Sequence, residues 1–223
     1  MTTILCYGDS NTYGYDPKTG LRYPKEIRWP GHLQALLDLQ SEPGTYTVIE
    51  EGCNGRTTVT DDPVEGWKNG LDYLKPCLNS HKPVDIVILM LGTNDLKEIF
   101  HLTASQIAEN AGILADTIQS FTQEKQGFVP KIVLVSPPLI GEDMPNSVFS
   151  RSFAPRAIEE SKLFASNYQA IATKKNCIFF DAATCVQPSR EDSLHLTEEG
   201  HRALAEGLSK VVLSLSGNEE AES

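Results

Sequence analysis

The sequence has no apolar run approaching the roughly 18–20 residues of a membrane span, and none is expected to cross a bilayer. Its 223 residues carry 19 Lys and Arg against 30 Asp and Glu, a formal net charge of −11. It therefore lacks the basic face that nucleic acid requires and that anionic membrane surfaces favour. The start, Met1-Thr2-Thr3-Ile4-Leu5-Cys6, has no basic n-region and no long apolar stretch, so no signal peptide is expected. Five cysteines (Cys6, Cys53, Cys77, Cys177 and Cys185) are an odd number without a CxxC pair. They read as buried or idle thiols in a reducing, cytoplasmic setting, not as a disulfide framework. HExxH and Cys/His clusters are missing too, so no metal is expected.

What is present is ordinary for a globular chain: 40% hydrophobic and 22% charged residues, which exclude disorder as the main state. The length suits one domain, expected over residues 1–215, with a flexible acidic tail at 216–223 that holds Glu219, Glu220 and Glu222. Short runs rich in Val, Ile, Leu and aromatics recur at 2–7, 45–50, 84–91, 131–136 and 177–180. They are continuous instead of alternating, as strands buried on both faces are. Between them, residues 31–39, 104–121, 153–173 and 197–215 carry apolar side chains at helical spacing. Strands alternating with helices imply parallel pairing through crossovers, hence an α/β fold: a three-layer α/β/α sandwich around a five-stranded parallel sheet. The Pro-rich stretch 137–152 reads as a loop after the fourth strand.

In an open parallel sheet, ligands bind beyond the carboxyl ends of the strands. Four polar, Gly-marked or His-containing sets fall at that edge: Gly8-Asp9-Ser10-Asn11, Glu51-Gly52-Cys53-Asn54-Gly55-Arg56, Gly92-Thr93-Asn94-Asp95 and Asp192-Ser193-Leu194-His195. Singly, each has a plain reading as a turn, a helix cap or a solvated loop. Together they place a serine at a strand-to-helix turn and a histidine on the same edge. That histidine has a carboxylate three residues before it, close enough to orient its ring. Of His32, His81, His101, His195 and His201, only His195 has that setting.

These blocks resemble the SGNH hydrolases, the GDSL esterase/lipase family, whose fold is flavodoxin-like. The resemblance runs from residue 4 to about 210 and identifies Ser10 with the nucleophile and Asp192 and His195 with the D-x-x-H block. It implies an oxyanion hole built from the Ser10 N–H, the Gly52 N–H and the Asn94 amide. Asn11 departs from the family name, which has Leu there; this bears on pocket shape. The stretches Val48-Ile49-Glu50-Glu51-Gly52, Arg56-Thr57-Thr58, Asp61-Asp62-Pro63 and Val135-Ser136-Pro137-Pro138 are similar to the bacterial arylesterase/acyltransferase branch. That branch implies short-chain ester substrates, acyl transfer to alcohols, no cofactor and a homo-oligomer.

The expected pocket comprises Asn11, Tyr13, Tyr15, Cys53, Asn54 and Leu96, with Trp29 and Phe100 joining Tyr13, Tyr15 and Leu96 at its mouth. Tyr23, Trp29, Pro30, Phe149 and Phe153 on the loops at 12–30 and 137–152 look exposed, which favours cover by a second copy. The partner expected otherwise is a small-molecule ester. Deacetylase, thioesterase and lysophospholipase activities remain open. So does a non-enzymatic flavodoxin-like module that holds a phosphate at the Gly8–Gly14 turn. That turn lacks GxGxxG and GxxxxGK[ST] patterns.

Overall fold

Five short apolar runs pair into one parallel sheet in the computed structural model, which describes residues 1–217. β1 (Thr2–Gly8) lies between β2 (Tyr46–Gly52) and β3 (Ile86–Met90). β4 (Lys131–Ser136) and β5 (Ile178–Asp181) extend it, giving the order β2-β1-β3-β4-β5. The helices are α1 (Ser10–Tyr13), α2 (Trp29–Gln40), α3 (Gly70–His81), α4 (Ala104–Gln126), α5 (Pro155–Lys162), α6 (Phe164–Lys174) and α7 (Glu198–Gly217).

Side chains alternate across a strand, and this splits the core into two layers. Leu5 and Tyr7 of β1 pack with Leu74 and Leu78 of α3, Ile107 and Leu114 of α4, and Phe164 and Tyr168 of α6. Ile4 and Cys6 pack the other way, with Trp29, Leu33 and Leu37 of α2 and Leu204 and Leu208 of α7. The chain leaves β1 in one direction to make β2, then returns past β1 to make β3. That reversal opens a crevice between the carboxyl ends of β1 and β3.

The sandwich matches the sequence expectation, with four local differences. α3 carried no clear signal because Pro76 sits inside it; Asn69 starts it by accepting the Leu71 N–H at 2.9 Å. The helix expected over 153–173 is two, α5 and α6, joined at Leu163, whose N–H is shared by the Glu160 and Ser161 carbonyls. β2 beyond Tyr46 and β5 are sheet edges that stay partly exposed, so only the inner strands are buried on both faces. Tyr23, Trp29, Pro30 and Phe153, read from sequence as exposed, are buried in the chain's own interior and are not surface for a second copy to cover. Of the expected tail, residues 216 and 217 continue α7, and 218–223 lie outside the described residues. No helix among the described residues is long and apolar enough to cross a membrane.

His201 of α7 is fully buried where α7 packs on α2, and its Nδ1 accepts the Trp29 N–H at 3.3 Å. Burial, with His195 and Arg28 nearby, pushes it down to about 3. A depressed histidine favours the neutral folded state, so its stabilising effect is complete above the unfolded value of about 6.5 and is lost as pH falls below it. Thermal unfolding of wild type and His201→Asn should therefore differ most near about pH 7.5, and the wild-type advantage should shrink towards about pH 5. A constant difference in Tm across that range would contradict the buried neutral imidazole.

Candidate active site

Ser10 is the first residue of α1, immediately beyond β1. The turn is fixed by Asp9, whose carboxylate accepts the Asn11 N–H at 3.0 Å, while its carbonyl accepts from the N–H groups of Thr12 and Tyr13. Burial pushes the Asp9 carboxyl up to about 6. Gly52 ends β2 against this turn: a Cβ there would stand 2.0 Å from the Tyr13 nitrogen, so only glycine lets the backbones meet.

Asp192, Ser193, Leu194 and His195 form a tight loop ahead of α7. Ser193 adopts a left-handed backbone, φ 60°, which is uncommon for a residue with a side chain. This wraps the Asp192 carboxylate around its own loop. Oδ1 accepts the N–H groups of Leu194 at 3.0 Å and His195 at 2.9 Å, and Oδ2 meets His195 Nδ1 at 2.6 Å. Burial by itself would raise the Asp192 carboxyl, but the His195 ring and these backbone bonds outweigh it and hold the carboxyl below its ordinary range. An ionised Asp192 only accepts, so in the neutral ring Nδ1 donates and Nε2 is left as the acceptor. Nε2 lies 2.8 Å from Ser10 Oγ. The three groups are buried in line, and Tyr15 and Phe149 hold the His195 ring, with centroids at 4.2 and 5.3 Å.

Asn94 stands at the end of β3, across the crevice from Ser10. One of its amide hydrogens is held by the Arg56 carbonyl at 3.1 Å, which leaves the other to point elsewhere. Its neighbour Asp95 is fully buried and accepts from the N–H and Oγ1 of Thr58. Burial pushes Asp95 up to about 7, against the lowering effect of those bonds. Arg56 donates to the carbonyls of Gly8 and Glu51, and its guanidinium lies 4.2 Å from the Tyr7 ring centre. The loop after β2 is thereby tied to both β1 and β3.

A cavity of about 200 Å³ opens over Ser10 and His195. Of the residues expected to line it, Tyr15 and Asn54 do. The other four do not, each for a physical reason. Asn11 points inward: its Oδ1 accepts the Leu196 N–H at 3.0 Å and its amide reaches the Leu194 carbonyl at 3.5 Å, so it braces the histidine loop. Leu96 is buried in the core layer of α3, α4 and α6. Tyr13 lies under the Arg22 guanidinium, 4.4 Å away, outside the cavity. Cys53 faces a separate depression with Glu51, Arg56, Trp67 and Tyr73. Trp29, expected at the mouth, is in the core.

The walls that sequence reading missed are Gly55, Glu65, Lys97, Phe149, Ser152, Phe153 and Leu194. Phe149, Ser152 and Phe153 lie on the segment after β4 or at its end, and that segment leaves the sheet at its carboxyl edge, which is the signal that could have placed them. The two charged wall residues are tied to partners: Lys97 Nζ lies 3.0 Å from Asp62, and Glu65 lies 3.0 Å from Lys68 Nζ.

No curated protein matches the chain significantly. Among solved structures, the carbohydrate acetylesterase Est24 from Sinorhizobium meliloti is 36% identical, with a TM-score of 0.89 over 96% of this chain and 100% of that one. The aryl esterase of M. smegmatis is 35% identical, with a TM-score of 0.89 over 96% and 100%. A lipase/acylhydrolase from Enterococcus faecalis, at 20% identity and a TM-score of 0.67 over 95% of each chain, shares the fold. The family model of GDSL-like lipases and acylhydrolases spans residues 6–203, and with nearly the whole chain superposed on esterases more than 30% identical, this protein belongs to the GDSL-like lipase/acylhydrolase family.

Proposed function

We propose that this protein is a serine esterase for small, uncharged carboxylic esters. The observation that carries the reading is the continuous line from Asp192 through His195 to Ser10, at 2.6 and 2.8 Å. In this reading Ser10 Oγ attacks the ester carbonyl carbon and its proton passes to His195 Nε2. Asp192 stays ionised, keeps Nδ1 protonated and stabilises the imidazolium. The developing oxyanion is received by the Ser10 and Gly52 N–H groups and the free amide hydrogen of Asn94. As the intermediate collapses, the leaving alkoxide takes the proton from Nε2 and Ser10 carries the acyl group. An incoming water or alcohol then gives its proton to Nε2 and attacks; collapse returns that proton to Ser10 Oγ.

The cavity supports short acyl groups, since about 200 Å³ lies below the roughly 300–1,000 Å³ of drug-sized sites and Phe149 and Phe153 close it. Its charges are paired, so nothing in the wall is poised for the phosphates of an acyl-CoA or a lysophospholipid. The phosphate-binding alternative fares worse still, because the carboxylate of Asp9 occupies the turn after β1. The acetylesterase and aryl esterase among the solved relatives point to acetyl and aryl esters as first substrates. Acyl transfer to alcohols belongs to the same proposal, with Tyr15 and Phe149 as the apolar faces that would hold an acceptor. For a homo-oligomer, Val64 and Ile99, exposed beside the mouth, are among the apolar side chains that a second copy would cover.

Asn94→Ala should lower kcat by about 10²–10³ with little change in KM, because the amide acts chiefly on the transition state. An unchanged kcat on an aryl acetate would remove Asn94 from the oxyanion hole. Against a panel of p-nitrophenyl esters, kcat/KM should fall by at least about tenfold between acetate and octanoate, and Phe149→Ala should narrow that ratio. Equal rates across the panel, or preference for an acyl-CoA, would overturn the substrate class.

A further inference from the structure

Glu51, Cys77 and His81 meet away from the cavity, where α3 packs beside the end of β2. Cys77 and His81 are four residues apart on α3, so both leave the same face of the helix. Glu51, next to last in β2, faces them. One carboxylate oxygen of Glu51, Cys77 Sγ and one ring nitrogen of His81 all lie within 4.8 Å of one another, and Glu51 Oε1 is 2.7 Å from His81 Nε2. Ligands at about 2.0–2.3 Å from a tetrahedral zinc ion stand roughly 3.3–3.8 Å apart. An outward shift of His81 from Glu51 opens their 2.7 Å contact to that spacing, and Cys77 Sγ lies within 4.8 Å of both.

The donors say which ion would be held. A thiolate and an imidazole select borderline ions of the Zn²⁺ class over Mg²⁺ and Ca²⁺, and the thiolate with the carboxylate balances a double positive charge. His81 is the last residue of α3, where the carbonyl ends of the helix favour a cation. Cys77 is buried, while Glu51 and His81 are partly open, so solvent can supply the fourth ligand. The guanidinium of Arg56, which acts on Cys77, is engaged by the Gly8 and Glu51 carbonyls and by the Tyr7 ring.

We propose that Glu51, Cys77 and His81 form a binding site for a divalent ion of the Zn²⁺ class that clips β2 to α3, separate from the ester chemistry. Binding makes one bond from each of the three side chains to the ion, displaces water from it, leaves the His81 ring proton on the nitrogen that does not bind and releases the Cys77 thiol proton to solvent; no oxidation state changes. None of Ser10, Asp192, His195, Gly52 or Asn94 takes part.

The test uses the full-length, chelator-treated protein titrated with Co²⁺ as a spectroscopic probe, then with Zn²⁺. One equivalent of Co²⁺ should give a thiolate-to-cobalt charge-transfer band that Zn²⁺ abolishes, and Zn²⁺ should raise Tm. Because Cys77 lies in the core, the partly exposed partners carry the comparison: His81→Ala and Glu51→Gln should each weaken binding by at least about tenfold. Absence of the thiolate band, or equal affinity in wild type and both variants, would overturn the site.

Discussion

The site depends on one contact between chain segments 185 residues apart, the Leu196 N–H on Asn11 Oδ1. Ser10 comes from the first turn of the chain and His195 from the loop before the last helix. A serine and a histidine on separate loops would wander by more than a hydrogen bond tolerates. Asn11 is the residue after Ser10, and it grips the backbone on both sides of His195. The serine turn and the histidine loop are thereby set against each other, and the 2.8 Å spacing between them follows. The Asp192 carboxylate completes this from within, because one oxygen organises the loop backbone and the other orients the ring.

The reversal of strand order at β1 supplies the place for this contact. It opens the crevice, and the loop after β2 fills one side of it through Arg56, Thr58 and the close approach that Gly52 permits. Several buried polar groups are held there at a cost: Asp9 and Asp95 are driven towards neutrality by burial, and Ser193 keeps an uncommon backbone conformation. Strain and desolvation concentrated where reacting groups converge are what a preorganised site requires. The aromatic rings of Tyr15 and Phe149 add the stiffness that holds His195 in one rotamer.

The parallel sheet and the first three polar sets at its carboxyl edge were legible because each is a local signal, a short apolar run followed by a turn, and the fourth because Asp192 and His195 stand three residues apart ahead of a helix. Side-chain direction was not. Asn11 and Leu96 neighbour Ser10 and Asn94 in sequence, yet they point into the protein, since adjacent residues leave a helical turn in different directions. Phe149 and Phe153 reach the cavity from a segment whose path only the folded loop reveals. α3 was hidden by Pro76, and with it the four-residue spacing of Cys77 and His81 and their approach to Glu51. Trp29 and Tyr23 looked exposed because loops are usually wet; here α7 and the buried His201 cover them.

The proposed function requires that Ser10 be the residue whose hydroxyl is made nucleophilic. The direct measurement is covalent labelling with a small sulfonyl fluoride or organophosphonate, followed by peptide mass mapping and assay of the residual esterase rate. A single label on Ser10, with loss of activity in proportion to labelling and no label on Ser10→Ala, is the predicted result. Label on another serine, or full esterase activity in Ser10→Ala, would contradict it.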